Sequence, residues 1–257
     1  MELAGATVIP VIEWAQTLRN AVNAAMKDLI HHPKDTYYLL GTACWPNPYP
    51  AMNVFFQKII WEEVRKQLLE SIWKPPDILV ACVGGGSNAQ WLFYEFLDDS
   101  DIQMIWVEAW WKWIKSWKHA ARFSKKQIWV VEWYKSYFLQ DERWQIRDTY
   151  SISAWLDYSW VSPQIAYLEQ IWRIQMTSVT DDEALDAIEF LMKTEWILPA
   201  LESAHAVAET IKIAKTVSSE TIIVCNLSWR GDKDLFITAP KFDNKFKGFI
   251  ENYLLTL

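Results

Sequence analysis

Apolar residues fall along this chain in two kinds of run. Short unbroken runs such as Ile78-Leu79-Val80-Ala81-Cys82-Val83 suit strands buried on both faces of a parallel sheet. Longer stretches repeat every three or four residues, as Leu18, Val22, Ala25 and Leu29 do, and suit helices with one apolar face. In order, the pattern predicts a strand over 5–11, a helix over 18–30 capped by Thr17, and a strand over 35–40. A proline-rich loop over 41–50 comes next, then a long helix over 51–71 with Met52, Phe55, Phe56, Ile59, Ile60 and Val64 inward, stopped by Pro75-Pro76. Further strands are expected from 78, over 102–107, over 127–131 and 136–139 as a hairpin, and over 173–179 and 221–227. Helices are expected after Asn88, after the capping box Thr180-Asp181-Asp182-Glu183, and from Pro199. Residues 151–163 read as loop, and 241–257 as an amphipathic surface segment. Strands alternate with helices, so the expected class is α/β, three-layered, with mainly parallel sheets flanked by helices. No internal repeat and no low-complexity linker interrupts the pattern.

The run at 78–83 leads straight into Gly84-Gly85-Gly86-Ser87-Asn88 and then a helical stripe of Ala89, Leu92, Phe93 and Phe96. Strand, glycine loop and helix N-terminus in that order can cradle an anion, because glycines allow close backbone approach and the helix start offers unpaired N–H groups. The same order also makes a tight turn that binds nothing. The local residues leave both readings open.

Composition narrows the classes. A net charge of -7 argues against general nucleic-acid binding. Cys44, Cys82 and Cys225 are far apart and lack metal spacing, which suits buried thiols in a reducing compartment. No basic segment leads into an apolar run, and no apolar stretch approaches membrane-spanning length, so a cytoplasmic protein is expected. One count is abnormal: 18 Trp against 7 Gly, where average usage would give roughly 18 Gly. Several tryptophans stand in turn-like settings, as in Cys44-Trp45-Pro46, Arg143-Trp144-Gln145 and Ser228-Trp229-Arg230.

Four stretches together resemble the tryptophan synthase β chain. They are Gly41-Thr42 with Pro46-Asn47-Pro48-Tyr49-Pro50; Gly84 to Asn88; Leu198-Pro199-Ala200-Leu201-Glu202-Ser203-Ala204-His205-Ala206; and Leu227-Ser228-Trp229-Arg230-Gly231-Asp232-Lys233-Asp234. The similarity runs in order along nearly the whole chain. It implies a fold type II enzyme using pyridoxal phosphate (PLP) to replace the hydroxyl of L-serine with indole, giving L-tryptophan. By the same resemblance, residues 1–50 are the remainder of an N-terminal communication domain, and 51–257 are the PLP-binding domain. Thr42, Gly84, Gly85, Gly86, Ser87 and Asn88 match the phosphate cradle, Glu202 a carboxylate beside the ring, and Ser228 the hydroxyl at the ring nitrogen. Asp157 matches a residue that meets the serine hydroxyl. Val83, Gly84 and Tyr158 match backbone carbonyls facing a monovalent cation, Na+ or K+. Arg19 matches a position facing the α chain of an α2β2 complex built on a β–β homodimer. No nucleic acid and no membrane is implied.

Two departures accompany the resemblance. The family's PLP-linking lysine and a nearby glutamate belong to a segment this sequence lacks, so Met1 aligns inside the family and the chain is expected to be inactive alone. Tryptophan also stands where the family has glycine, at Trp45, Trp61, Trp91, Trp106, Trp110, Trp111, Trp129, Trp133, Trp144, Trp155, Trp160, Trp196 and Trp229 among others. UGA codons that specify glycine, read instead as tryptophan, generate that pattern; UGG codons at these positions exclude it. Two other readings compete. One is a different fold type II replacement or elimination enzyme. The other is a membrane-surface protein using the interleaved tryptophans and lysines of Trp110 to Lys118. Glu202 as a dipole partner, Ser228 as a turn residue, Asp157 as an Asx-turn and His205 as a packing residue are the plain structural alternatives.

Overall fold

The computed structural model describes residues 1–12, 17–39, 41–110, 119–131, 133–242, 248 and 252. Its contacts divide the chain into two units, Met1–Gly41 and Thr42–Leu257, an earlier division than the one expected after residue 50.

The first unit holds a short 3-10 turn and one helix, α1 (Leu18–His31). Thr17 opens α1 as expected: its N–H and Oγ1 both donate to Asn20 Oδ1, at 3.1 and 2.8 Å. The strands expected over 5–11 and 35–40 are not formed among the described residues, Leu40 lying outside them. Apolar runs without a neighbouring strand have no ladder to join.

The second unit runs α2 (Tyr49–Gln57), α3 (Ile59–Ile72), β1 (Ile78–Cys82), α4 (Ser87–Phe93), β2 (Gln103–Trp110), β3 (Ile128–Val131), β4 (Tyr134–Tyr137), α5 (Pro163–Gln170), β5 (Gln175–Thr180), α6 (Asp181–Glu195), α7 (Leu201–Ala214), β6 (Ile223–Cys225) and α8 (Leu235–Phe242). Four strands form an all-parallel sheet in the order β5-β2-β1-β6, and β3 pairs with β4 as an antiparallel hairpin. Val80 sits between Ile105 and Cys225 in register, so β1 is central. Its residues are buried on both faces, which is why the run is apolar without alternation. Ile78, Val80 and Cys82 pack with Ala184, Ile188, Leu201 and Ala204 of α6 and α7. Leu79, Ala81 and Val83 pack with Leu92 and Phe93 of α4 and Ile165 of α5. Helices therefore cover both faces of the sheet, giving three layers.

Local signals explain most elements. The capping box at Thr180 forms, with Glu183 N–H donating to Thr180 Oγ1 at 3.3 Å and Thr180 N–H donating to Glu183 Oε2 at 2.8 Å. The single helix expected over 51–71 is instead two. Met52, Phe55, Phe56 and Ile59 are exposed rather than inward, while Pro50, Asn53, Val54 and Trp61 are buried. The reason lies in the neighbour: Asn53 accepts from Trp91 Nε1 at 2.9 Å, which turns that side of α2 toward α4. Helices α5 and α8 are additions to the expected set. Most of the 241–257 segment, and 111–118 of the tryptophan–lysine stretch, lie outside the described residues.

Among the described residues, six non-glycine positions have positive φ, and five of them are tryptophan: Trp73, Trp133, Trp144, Trp172 and Trp196. Left-handed backbone favours glycine, since a Cβ crowds the carbonyl there. Trp73 and Trp196 follow the last residues of α3 and α6, the place where helices most often end on glycine.

No helix among the described residues is long and apolar enough to cross a membrane.

Candidate functional site

Moving outward from β1, the chain first builds β2 and β5 on one side, and later returns to place β6 on the other. The switch of direction leaves a crevice beyond the C-terminal ends of β1 and β6, the usual ligand position in open α/β sheets. Gly84 to Asn88 leave the end of β1, and Asn226 to Ser228 leave the end of β6.

Close packing requires glycine in the loop. A Cβ on Gly84 would stand 2.1 Å from the Trp155 carbonyl oxygen. Gly86 has φ 103, and a Cβ there would stand 1.8 Å from Ile165 Cδ1. These contacts hold whether or not an anion binds. The anion reading has separate support: none of the backbone N–H groups from Gly84 to Asn88 meets an acceptor among the described residues. The loop's other atoms are tied down. Gly85 carbonyl accepts from Ser162 N–H at 3.0 Å and from Cys44 Sγ at 3.2 Å. Ser87 Oγ accepts from Ala43 N–H at 2.8 Å, and Thr42 Oγ1 accepts from Cys44 N–H at 3.2 Å beside Gly85.

Asn226 Nδ2 donates to the Asn88 carbonyl at 3.0 Å, joining the two strand ends. Cys82 lies beneath them, with Asn88 Nδ2 at 3.3 Å from its sulfur. Burial pushes the Cys82 thiol up to about 12 and the Cys225 thiol up to about 11, so neither is a nucleophile at neutral pH. Ser228 Oγ is 3.1 Å from Ser203 Oγ at the start of α7, beside Glu202.

Glu202 Oε2 accepts from Lys233 Nζ at 2.9 Å, and its Oε1 accepts from Trp155 N–H at 3.3 Å. Burial, the largest single influence, would raise the Glu202 carboxyl; the Lys233 bond and charge, a backbone N–H and Ser153 together outweigh it and hold the group below the usual carboxylate range. Burial would likewise lower Lys233, but Asp234 at 2.7 Å and Glu202 hold it above the usual lysine value. Asp234 also accepts from Leu201 N–H at 2.9 Å, capping α7 from another segment. Asp157 sits in the bend after Trp155. Burial pushes its carboxyl up, against a Thr149 hydrogen bond, and its Oδ1 is buried without a partner.

The glycine loop thus packs against Thr42 and the Trp155–Leu156 bend, Glu202 bonds the same bend, and Ser228 bonds Ser203 beside Glu202. Arg19 lies on α1 in the first unit. Trp229 meets Trp155 in a tilted pair with centroids 5.4 Å apart and ring planes at 45°, both half-exposed. An open hollow of about 580 Å3 runs along Leu198, Pro199, Leu227, Ser228, Trp229 and Lys233.

The groups implied by the resemblance fare differently against these residues. The free N–H groups and glycine-lined approach fit a phosphate. A monovalent cation does not fit. The Val83 carbonyl accepts from Arg122 Nη2 at 2.6 Å and the Tyr158 carbonyl from Arg122 Nη1 at 2.9 Å. Two of the three carbonyls expected to face an ion therefore face a guanidinium, whose charge repels a second cation. Among the described residues no group of three His, Cys, Asp or Glu is arranged for a metal. The sequence assigns no role to Arg122, Glu108, Lys233 or Asp234, although Lys233 and Asp234 stand in a stretch that carries the resemblance. Glu108, a charge inside an otherwise apolar strand, was the available signal. No protein-family model matches the chain.

Proposed function

We propose that this chain carries the PLP-binding crevice of a β-replacement enzyme of the tryptophan synthase β-chain kind, joining L-serine and indole. The observation that carries it is the run of unsatisfied N–H groups from Gly84 to Asn88 at the end of β1, with Ser228 following the end of the neighbouring β6 and Glu202 held by Lys233. Gly84 to Asn88, with Thr42 beside them, would hold the phosphate. When bound, PLP supplies an electron sink for the α-carbon of an amino acid. Ser228, a neutral hydroxyl, does not give a full proton to a ring nitrogen as an acid would, which tempers that sink in favour of replacement at Cβ. Glu202 stays ionised and fixed by Lys233 and the Trp155 N–H. Asp157, with a raised pKa and a buried Oδ1, can hold a proton and pass it to a departing hydroxyl.

Among the lysines of the described crevice, Lys233 is held as an ammonium between two carboxylates and is a poor nucleophile. The covalent anchor for PLP therefore comes from outside the described crevice. An α chain meeting Arg19 and a second β chain belong to the same proposal. The test is turnover by the full-length protein. Tryptophan formed from L-serine and indole supports the reading. Replacement that accepts other nucleophiles but refuses indole transfers the site to a different fold type II enzyme.

A further inference from the structure

Arg122 is fully buried, and its guanidinium is spent on the frame of the crevice. Nε donates to Glu108 Oε1 at 2.8 Å. Nη1 donates to the carbonyls of Tyr158 at 2.9 Å and Trp160 at 3.3 Å. Nη2 donates to the carbonyl of Val83 at 2.6 Å. Glu108 in turn accepts from the backbone N–H of Arg122 at 2.9 Å and of Phe123 at 3.1 Å, so both its oxygens are used.

Three carbonyls from two chain segments converge on one positive charge, the arrangement a small cation would otherwise satisfy. One segment ends β1 immediately before Gly84. The other follows Asp157. The guanidinium fork holds them in a fixed relation without an exchangeable ion.

We propose that Arg122 is the resident cation of this site, a positioning residue that fixes the glycine loop and the Asp157 segment and makes both independent of alkali ions. The proposal deepens the PLP reading and rests on it only for the purpose of the frame. Glu108 supplies the counter-charge on β2, so the cation is neutralised inside the protein, with no solvent ion required.

The experiment is thermal unfolding of the full chain at fixed ionic strength in the chlorides of sodium, potassium, caesium and tetramethylammonium. The wild-type midpoint is expected to be the same in all four. Arg122→Ala is expected to unfold at a lower midpoint and to gain a saturable rise with potassium, or with guanidinium kept below denaturing concentration, over tetramethylammonium. Arg122→Lys is expected to recover part of the midpoint while remaining insensitive to the ion. A saturable, size-selective response in the wild type overturns the proposal. So does an Arg122→Ala variant that folds and ignores small cations. If Arg122→Ala does not fold, the wild-type series and Arg122→Lys decide. None of these arms uses PLP, so a failure of the cofactor reading, seen as no PLP uptake, stays distinct from a failure here.

Discussion

Trp196 shows what a single residue does against its backbone. It is 93% exposed and sits at φ 58 just after α6, so its indole contributes no packing while its Cβ strains the turn. Trp196→Gly is expected to stabilise the chain by about 1 kcal/mol, and Trp196→Ala, which keeps the Cβ, by far less. Denaturant midpoints at unchanged slope check this; a loss on Trp196→Gly contradicts it. The sequence pointed to Trp133, Trp144 and Trp196 through their family positions, and the backbone places all three at positive φ. Trp73 and Trp172 share that conformation. Trp106 is different. It is fully buried in the core beside Phe93, with its indole N–H unpaired. A buried donor without a partner is costly, yet no left-handed turn marks it.

At the scale of the element, α7 links the crevice to the core. Its first turn carries Glu202 and Ser203 toward the site, and one turn later His205 points inward with no exposure. His205 Nδ1 bonds the Leu201 carbonyl at 2.7 Å, so that nitrogen carries the hydrogen, while Nε2 is buried without a hydrogen bond. Burial pushes His205 down to about 4, against a normal value of 6.5. Between those values the unfolded chain binds the proton and the folded chain does not. Stability therefore falls as pH drops through that window, by about 3 kcal/mol at its lower end. His205→Gln is expected to flatten this slope in unfolding measured between pH 4 and 6.5; an unchanged slope contradicts it. Glu202 acts lower. Its pKa is depressed, so its contribution is complete above the ordinary carboxylate range and is lost as pH falls through its folded value.

The elements also divide by legibility. β1 was readable because burial on both faces leaves an unbroken apolar run, and α6 because its capping box is local. The runs over 5–11 and 35–40 look the same in sequence but meet no pairing strand among the described residues, and pairing is not a local property. Helix α5 is short, and its signal was Ser162-Pro163 at its start. The inward side of α2 differs from the side its sequence suggests because its partner, α4, lies far along the chain.

For the whole molecule, the strand order decides where chemistry can occur. The return of β6 beside β1 brings residues 226–228 to the end of β1, and Arg122 ties the carbonyls of Tyr158 and Trp160 to that of Val83. The resemblance implies an ion where Arg122 stands, because carbonyl positions can be matched along a sequence while the side chain that fills the space between them cannot. The direct test of the central claim is PLP binding by this chain, followed by absorbance, with inorganic phosphate as competitor and borohydride reduction before peptide mass analysis. Reversible, phosphate-competed binding with no lysine stoichiometrically labelled is the expected result. Absence of phosphate-competed binding, or a stoichiometric PLP adduct on Lys233 or another lysine of this chain, would contradict it.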